Sequence, residues 1–196
     1  MEYKEIVVAT SNPHKMEEYS EMLSPLGFKV SSLKEYDIEL NVEETGSTFE
    51  ENSLIKARFI SKILPNKIVL ADDSGLEIKA LNGFPGIYSA RFMEDRPYPE
   101  KWKEIIKRLK GYSDKTANFT TVISLVNYRS KELTFEGKAF GKIVDIPQGE
   151  NGFGYDPIFY SNELKKTFGV ATAQEKNSVS HRSKALKKLV EYLKNN

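Results

Sequence analysis

The amino-acid sequence predicts an α/β protein built on a mixed β-sheet flanked by helices. Residues 5–32 have the pattern of a strand, a helix and a second strand, as in a parallel βαβ-like unit. The apolar run at 67–71 predicts another buried strand. Residues 116–128 and 132–145 are rich in β-branched and aromatic side chains and predict a long antiparallel hairpin. Parallel and antiparallel strands together indicate a mixed sheet.

The first helix is predicted by its capping residues. Asn12 is a good N-cap and Pro13 suits the first helical position, so a helix is expected from about Pro13 to Ser24. A strand, a tight turn and a helix N-terminus together form an anion site, because backbone N–H groups and the positive end of the helix dipole face outward. An ordinary βα turn with a surface lysine is the alternative. The turn consists of Thr10, Ser11, Asn12, Pro13, His14 and Lys15.

The second helix is predicted to begin at a capping box. Thr48 is the N-cap and Glu51 follows three residues later, and the helix is expected to run to about Leu64. This helix presents Asn52 and Lys56 one turn apart on the same face.

A central stretch follows the strand at 67–71. That strand is expected to end abruptly in Asp72 and Asp73, with Ser74–Gly75 as a turn. Ligands of α/β sheets bind at the carboxyl ends of strands, so the two carboxylates are candidates for chemistry. Adjacent side chains on a strand point to opposite faces, so at most one should reach a given pocket unless the turn redirects the other. The glycine-punctuated loop 82–86 is a candidate pocket wall, and a loop closed by Asx-turn hydrogen bonds is the structural alternative.

The next elements are a helix and a glycine-rich loop. A helix is expected from about Pro99 to Lys110, with Trp102 in its apolar stripe. No helix pattern follows the loop at 149–157, which argues against a dinucleotide-binding fingerprint. Its glycines would leave Phe153 able to stack on a purine. A strand is expected at 157–160.

The C-terminal helix is predicted to begin with two basic residues. Residues 173–182, which include Lys176, lead into this helix, and His181 and Arg182 lie in its first turn. The helix dipole disfavours cations at that end. Such local conflicts are expected at functional sites.

Composition and charge exclude several classes of protein. The chain has 196 residues, enough for one domain, and it has no cysteine and two histidines, so a hard cation such as Mg²⁺ or Mn²⁺ is favoured over zinc. The net charge of +1 argues against a general nucleic-acid binder. There is no apolar run of membrane-spanning length and no signal peptide before the first strand, so a cytoplasmic protein without membrane contact is expected.

The charges are unevenly distributed along the chain. Residues 35–51 are acidic and contain no Lys or Arg, whereas Lys and Arg predominate from Asn162 onward. Within the acidic segment, Glu43 and Glu44 have no local structural role. Solvated surface explains most such asymmetry, and a site for a metal-bound polyphosphate is the functional alternative.

Six separated motifs, in order along nearly the whole chain, resemble those of the inosine/xanthosine triphosphate pyrophosphatases, the Ham1-like family. In that family the first motif usually has Gly where Ser11 stands here. The motifs are the residues at 10–15, 43–57, 71–75, 83–91 and 153–159, and Lys176 with Ser180–Arg182.

The resemblance implies one domain over 1–196, with an elongated central sheet and two lobes separated by a cleft. It implies Mg²⁺-dependent hydrolysis of ITP, dITP and XTP to the monophosphate and pyrophosphate by a homodimer, with Mn²⁺ as a substitute metal. This activity removes non-standard purine nucleotides before they enter DNA and RNA.

The resemblance also implies residue roles. Glu44 and Asp73 would hold Mg²⁺, and Asp73, or Asp72 beside it, would position or deprotonate the attacking water. The triphosphate would bind Lys15, Asn52, Lys56, Ser74 and the turn Thr10, Ser11, Asn12, Pro13 and His14. The base would bind Phe153, Gly154, Tyr155 and Asp156, with donors from Lys176, His181 and Arg182.

Base selection follows from hydrogen-bond chemistry. Hypoxanthine and xanthine carry a carbonyl acceptor at C6, where adenine carries an amino donor. Buried donors that face adenine would be left unpaired, at a cost of roughly 1–3 kcal/mol each. Guanine also has the C6 carbonyl, so its rejection must come from the side of its 2-amino group.

Two alternatives stay open on the sequence alone. A Maf-like pyrophosphatase acting on other modified nucleotides would share the carboxylate and lysine chemistry. A non-enzymatic nucleotide- or RNA-binding module would use Phe153 and the basic C-terminal region, and would show binding without turnover.

Overall fold

The computed structural model describes residues 5–195, which form six β-strands and five α-helices. The six strands form one sheet in the order β2-β1-β3-β4-β5-β6. Within it β1 pairs in parallel with β2 and β3, whereas β5 pairs antiparallel with β6, so the predicted mixed α/β fold is confirmed. The elements are β1 (Glu5–Val8), α1 (Pro13–Leu23), β2 (Lys29–Ser32), α2 (Phe49–Ile63), β3 (Ile68–Ile78), α3 (Tyr98–Arg108), β4 (Thr116–Tyr128), β5 (Lys131–Ile143), β6 (Phe159–Ser161), α4 (Ala173–Val179) and α5 (His181–Asn195).

The central strand β3 is longer than predicted. The expected turn at Ser74–Gly75 is wrong, because β3 continues through both residues to Ile78. The pairing of β1 with β3 ends where Val8 meets Leu70, and beyond that point the loop after β3 supplies partners. The Ser89 hydroxyl accepts a hydrogen bond from Leu76 N at 2.9 Å. Tertiary partners therefore keep extended a segment whose local sequence favours a turn.

Two of the helices test the local capping rules. Asn12 caps α1 as predicted, and its side chain accepts from the backbone N–H groups of His14 and Lys15. Thr48 caps α2 by accepting from Glu51 N at 3.1 Å. The Glu51 carboxylate, however, accepts from Ser47 N at 2.6 Å, one residue earlier than a capping box requires.

Helix α4 was not predicted. Its N-cap Thr172 and Glu175 form a full capping box, a signal that was present in the sequence.

The contacts of the chain divide it into two compact units. Unit 1 comprises the described residues up to Asp73 together with 122–135, and its core includes Val69 and Ala71. Unit 2 comprises 74–121 and 136–195. The chain passes from one unit to the other inside three strands: in β3 after residue 73, in β4 after residue 121 and in β5 after residue 135. The expectation of one domain with two lobes and a cleft stays a prediction.

Candidate active site

The turn after β1 is held by its own side chains. Thr10 Oγ1 accepts from Asn12 N at 3.2 Å, and Asn12 Oδ1 accepts from His14 N at 3.0 Å and Lys15 N at 3.4 Å. The Asn12 cap therefore already uses two of the N–H groups that were expected to bind an anion. Ser11, Pro13 and His14 are exposed in this turn.

Asp72 and Asp73 are both buried, and each meets a different lysine of unit 1. Lys15 Nζ, from the first turn of α1, lies 2.9 Å from Asp72 Oδ2. Lys56 Nζ, from α2, lies 3.6 Å from Asp73 Oδ1. Successive side chains of a strand point to opposite faces, which explains why α1 supplies one lysine and α2 the other.

Asp73 belongs to a wider network with Glu44. Asn52 Nδ2 donates to Asp73 Oδ2 at 3.2 Å, and Lys56 Nζ lies 2.8 Å from Glu44 Oε1. Asn52 Oδ1 also accepts from Gly46 N at 2.8 Å, which ties the acidic segment to α2. The predicted face of α2 with Asn52 and Lys56 is thus buried and directed at the carboxylates.

Burial and the neighbouring charges shift the pKa values of both Asp73 and Lys56 in this network. Burial is the main cause that raises the pKa of Asp73; Glu44 and Asp72 add to the increase, and Lys56 and Lys15 oppose it. Burial by itself would lower the pKa of Lys56, but Asp73, Asp72 and Glu44 together outweigh it, so that this pKa is raised. The lysine therefore stays charged beside a carboxylate that is less acidic than usual.

In unit 2, Asp156 fixes the loop that carries Phe153. Its Oδ2 accepts from Phe153 N at 2.9 Å and from Lys176 Nζ at 2.8 Å. The Lys176 ammonium also lies 4.5 Å from the centre of the Phe153 ring. Gly152 has a φ of 72° and leaves no room for a side chain, since a Cβ there would lie 2.1 Å from Asp156 Oδ2. Backbone and ion pair together orient the ring.

The rest of this loop is anchored to its surroundings in unit 2. The buried Tyr155 hydroxyl donates to Ser89 O at 2.7 Å, and burial raises the pKa of this phenol. Trp102, predicted to lie in the apolar stripe of its helix, is half-buried and donates to Gly154 O at 2.9 Å. Sequence reasoning missed the part of Ser89, although it lies inside the motif at 83–91.

The first turn of α5 is buried, with Arg182 only 1% exposed. Arg182 Nη2 donates to Ser74 Oγ at 3.3 Å. The His181 ring stacks on Phe119, with centroids 4.9 Å apart and planes 14° from parallel. In this structure the Ser74 hydroxyl, predicted to bind the triphosphate, contacts the arginine predicted to bind the base.

Across the described part of the chain, no group of three or more His, Cys, Asp or Glu side chains is placed to hold a metal ion by itself. Mg²⁺ usually takes one or two carboxylates and completes its shell with phosphates and water. Glu44 and Asp73 fit that chemistry, because both already contact a single ammonium group.

The fold and these two clusters define an α/β protein with buried carboxylates and lysines in one unit and an aromatic, basic cluster in the other. The chain matches the family model described as "Ham1 family" over residues 6–192, and it belongs to that family. Within residues 5–195 no helix is both long and apolar enough to cross a membrane.

Individual relatives agree with the family match. The chain is 47% identical over 191 residues to a protein of Thermoanaerobacter pseudethanolicus named "dITP/XTP pyrophosphatase", covering 96% of each chain. The Staphylococcus aureus Ham1 protein superposes with a TM-score of 0.88 at 41% identity, covering 98% of this chain and 99% of that one. A HAM1 protein from Coxiella burnetii gives a TM-score of 0.89 at 40% identity, with the same coverage.

Proposed function

We propose that this protein hydrolyses dITP, XTP and ITP to the nucleoside monophosphate and pyrophosphate. The name and full-length similarity of the Thermoanaerobacter relative support this activity. The structural observation that carries the proposal is the buried Asp73, held by Asn52 and Lys56 beside Glu44.

The reaction requires one bond to form and one to break. A water oxygen attacks the α-phosphorus, and the bond from this phosphorus to the oxygen that bridges it to the β-phosphate breaks. Pyrophosphate leaves with that oxygen. Asp73 accepts the proton of the attacking water.

The lysines of unit 1 bind the triphosphate. Each lysine contacts a carboxylate in this structure, Lys15 with Asp72 and Lys56 with Glu44. Phosphate oxygens offer the same negative charge as these carboxylates, so a bound triphosphate shares the ammonium groups. Asn52 and the turn at 10–14 complete the phosphate contacts in this proposal.

Glu44 and Asp73 would hold Mg²⁺, or Mn²⁺ as a substitute. When bound, the metal neutralises phosphate charge and polarises the phosphorus. Asp72 pairs with Lys15 and holds that lysine in place.

The residues of unit 2 select the base. Phe153 stacks on the purine, in a loop held by Asp156 together with Gly154 and Tyr155. Lys176, His181 and Arg182 direct donors at the C6 carbonyl, and the burial of all three makes an unmatched adenine costly.

The test is a substrate panel. Purified protein with Mg²⁺ is incubated separately with ITP, XTP, dGTP, ATP and CTP, and pyrophosphate and orthophosphate are measured independently. Pyrophosphate from ITP and XTP alone is the expected result. Orthophosphate as product, equal turnover of ATP, or preference for another modified base as in Maf-like proteins would contradict the proposal, and binding without turnover would favour the non-enzymatic module.

A homodimer in the cytoplasm, acting on small-molecule nucleotides and not on nucleic acid, completes the proposal. The family resemblance supports it. Sedimentation equilibrium of the purified protein should give twice the chain mass of 22.3 kDa.

A further inference from the structure

Gly137 lies on the buried face of β5, where the first turn of α5 packs against the strand. A Cβ built on Gly137 would lie 2.1 Å from His181 O and 2.4 Å from Ala185 N. These two atoms are the carbonyl of the first residue of α5 and the amide four residues later, which is the spacing of an α-helical hydrogen bond. Only a residue without a side chain leaves room for the helix at this distance.

Neither β5 nor the start of α5 can move away from this contact easily. The atoms in the way are backbone atoms, and β5 is hydrogen-bonded to β4 in the sheet. Ala185 and Leu186 of the same helix are buried. Because non-bonded heavy atoms need about 3.5 Å, a methyl group at Gly137 would displace the start of α5 by about 1 Å.

The displaced turn carries two of the proposed base-recognition residues. Arg182 Nη2 donates to Ser74 Oγ at 3.3 Å, and His181 stacks on Phe119. The carbonyl that Gly137 faces is that of His181 itself, so any retreat of the helix moves both side chains with it.

We infer that Gly137 is a positioning residue for nucleobase selection. It touches neither substrate nor reacting atoms, but it sets the height of His181 and Arg182 above the sheet. This inference rests on the proposed function, in which those two side chains recognise the C6 carbonyl.

Gly141 provides a matched control on the same strand and the same buried face. A Cβ there would lie 2.2 Å from Tyr160 O and 2.8 Å from Phe159 Cζ, so Gly141 is as crowded as Gly137, but against β6 and not against the backbone of α5. Gly137→Ala and Gly141→Ala should therefore cost similar stability while only the first moves α5.

The experiment compares kcat/KM for ITP and for ATP in the wild type and the two variants. We expect the ITP-to-ATP ratio to fall about tenfold or more in Gly137→Ala, since a displacement of about 1 Å can cost a hundredfold in rate. The ratio in Gly141→Ala should stay within about twofold of wild type, because this change does not push on the backbone of α5. Both substrates are assayed on one sample, so the ratio does not depend on the folded fraction.

An unchanged ratio in Gly137→Ala, or an equal fall in Gly141→Ala, overturns the inference. If Gly137→Ala does not fold, Ala185→Ser replaces it, because Ala185 is fully buried where α5 meets Gly137 and this change adds one atom on the helix side; an unchanged ratio there has the same meaning.

The proposed function is judged separately, by wild-type turnover of ITP and XTP. If the wild type fails that test, the relative affinities of the monophosphates IMP and AMP, measured by calorimetry, still report the position of α5. The inference would then be overturned if both glycine variants lost the preference for IMP over AMP equally, or if Gly137→Ala kept that preference unchanged.

Discussion

The two candidate clusters, one in each unit, hold their charged side chains in different ways. In unit 1, lysines and carboxylates pair directly, as Lys15 does with Asp72 and Lys56 with Glu44. In unit 2, the cations also contact aromatic and neutral groups, since Lys176 lies over the Phe153 ring and Arg182 donates to a hydroxyl. A lysine paired with a carboxylate can bind a phosphate oxygen of the triphosphate in the same way, whereas an aromatic face can stack on a flat, neutral base. Changes in the charged cluster of unit 1 should therefore affect all substrates alike, and changes in the cluster of unit 2 should act through the base, on purine binding at Phe153 and on selectivity at Arg182.

The largest effect should come from Asp73→Asn in unit 1. The amide cannot accept the proton of water, so turnover of ITP and of every other substrate should fall by roughly 10²- to 10⁴-fold at any Mg²⁺ concentration. Because burial raises the pKa of Asp73, the ionised carboxylate destabilises the folded protein. The Tm of the neutral variant should therefore be no lower than that of the wild type. Glu50→Gln, an exposed acid of α2, is the control.

The variant Asp72→Asn distinguishes the role of Asp72 from that of Asp73. If Asp72 only holds Lys15, this variant should raise KM more than it lowers kcat. A loss of kcat equal to that of Asp73→Asn would assign the base to both carboxylates.

Phe153→Ala should give the next largest effect and tests unit 2. Loss of a stacking surface worth roughly 1–3 kcal/mol should raise KM for every purine nucleotide by about 5- to 150-fold, with kcat less affected. Phe140→Ala, which removes a ring that is 54% exposed on β5, serves as control. An unchanged KM would place the stacking surface elsewhere.

A smaller effect, confined to selectivity, is expected of Arg182→Ala. Removing one donor should narrow the gap between ITP and ATP by about tenfold, the equivalent of one hydrogen bond of roughly 1.4 kcal/mol. Lys184→Ala, on the same helix but paired with Glu163, should leave the ratio unchanged. If ITP activity falls while the ITP-to-ATP ratio is preserved, Arg182 contacts phosphate. The assignment of phosphate binding to unit 1 and base binding to unit 2 would then be wrong.

The smallest effect should come from a carboxylate of unit 1 outside the cluster. Hydrogen bonds from Lys29, and then from Lys67, hold the pKa of Glu5 well below its usual range. Glu5→Gln should lower Tm at pH 7 by roughly 2–4 °C, about 1 kcal/mol in a protein of this size, without loss of activity. Glu39→Gln, at an exposed position, is the control.

The sign of the pH dependence follows from the lowered pKa. Glu5 contributes its stability above the unfolded-state pKa of about 4.3 and loses it as the pH falls through the folded-state value. The difference in Tm between wild type and Glu5→Gln should therefore shrink below about pH 4. A constant difference would show that the side chain acts through packing alone.

Features set by near neighbours were predictable from the sequence. Asn12 and Pro13 mark the start of α1 because a cap bonds to amides two and three residues away. Thr48 does the same for α2, and Thr172 could have predicted α4 by the same rule. The family resemblance named the candidate residues, and the structure places most of them in one of two clusters.

Features set by distant partners were not predictable. The end of β3 was misplaced because Ser89, thirteen residues away from Leu76, supplies the bond that keeps the strand extended. The contact of Ser74 with Arg182 joins positions 108 residues apart. No local pattern specifies such a pair.

The starts of α1 and α2, the mixed α/β class and the residue types available for phosphate and base follow from the sequence. Which lysine meets which carboxylate, and how closely α5 approaches β5 at Gly137, follow only from the folded arrangement. The difference lies in the distance along the chain over which each interaction acts. Capping acts within one turn of the chain, whereas Coulomb attraction and close packing depend on distances that exist only after remote segments have packed together.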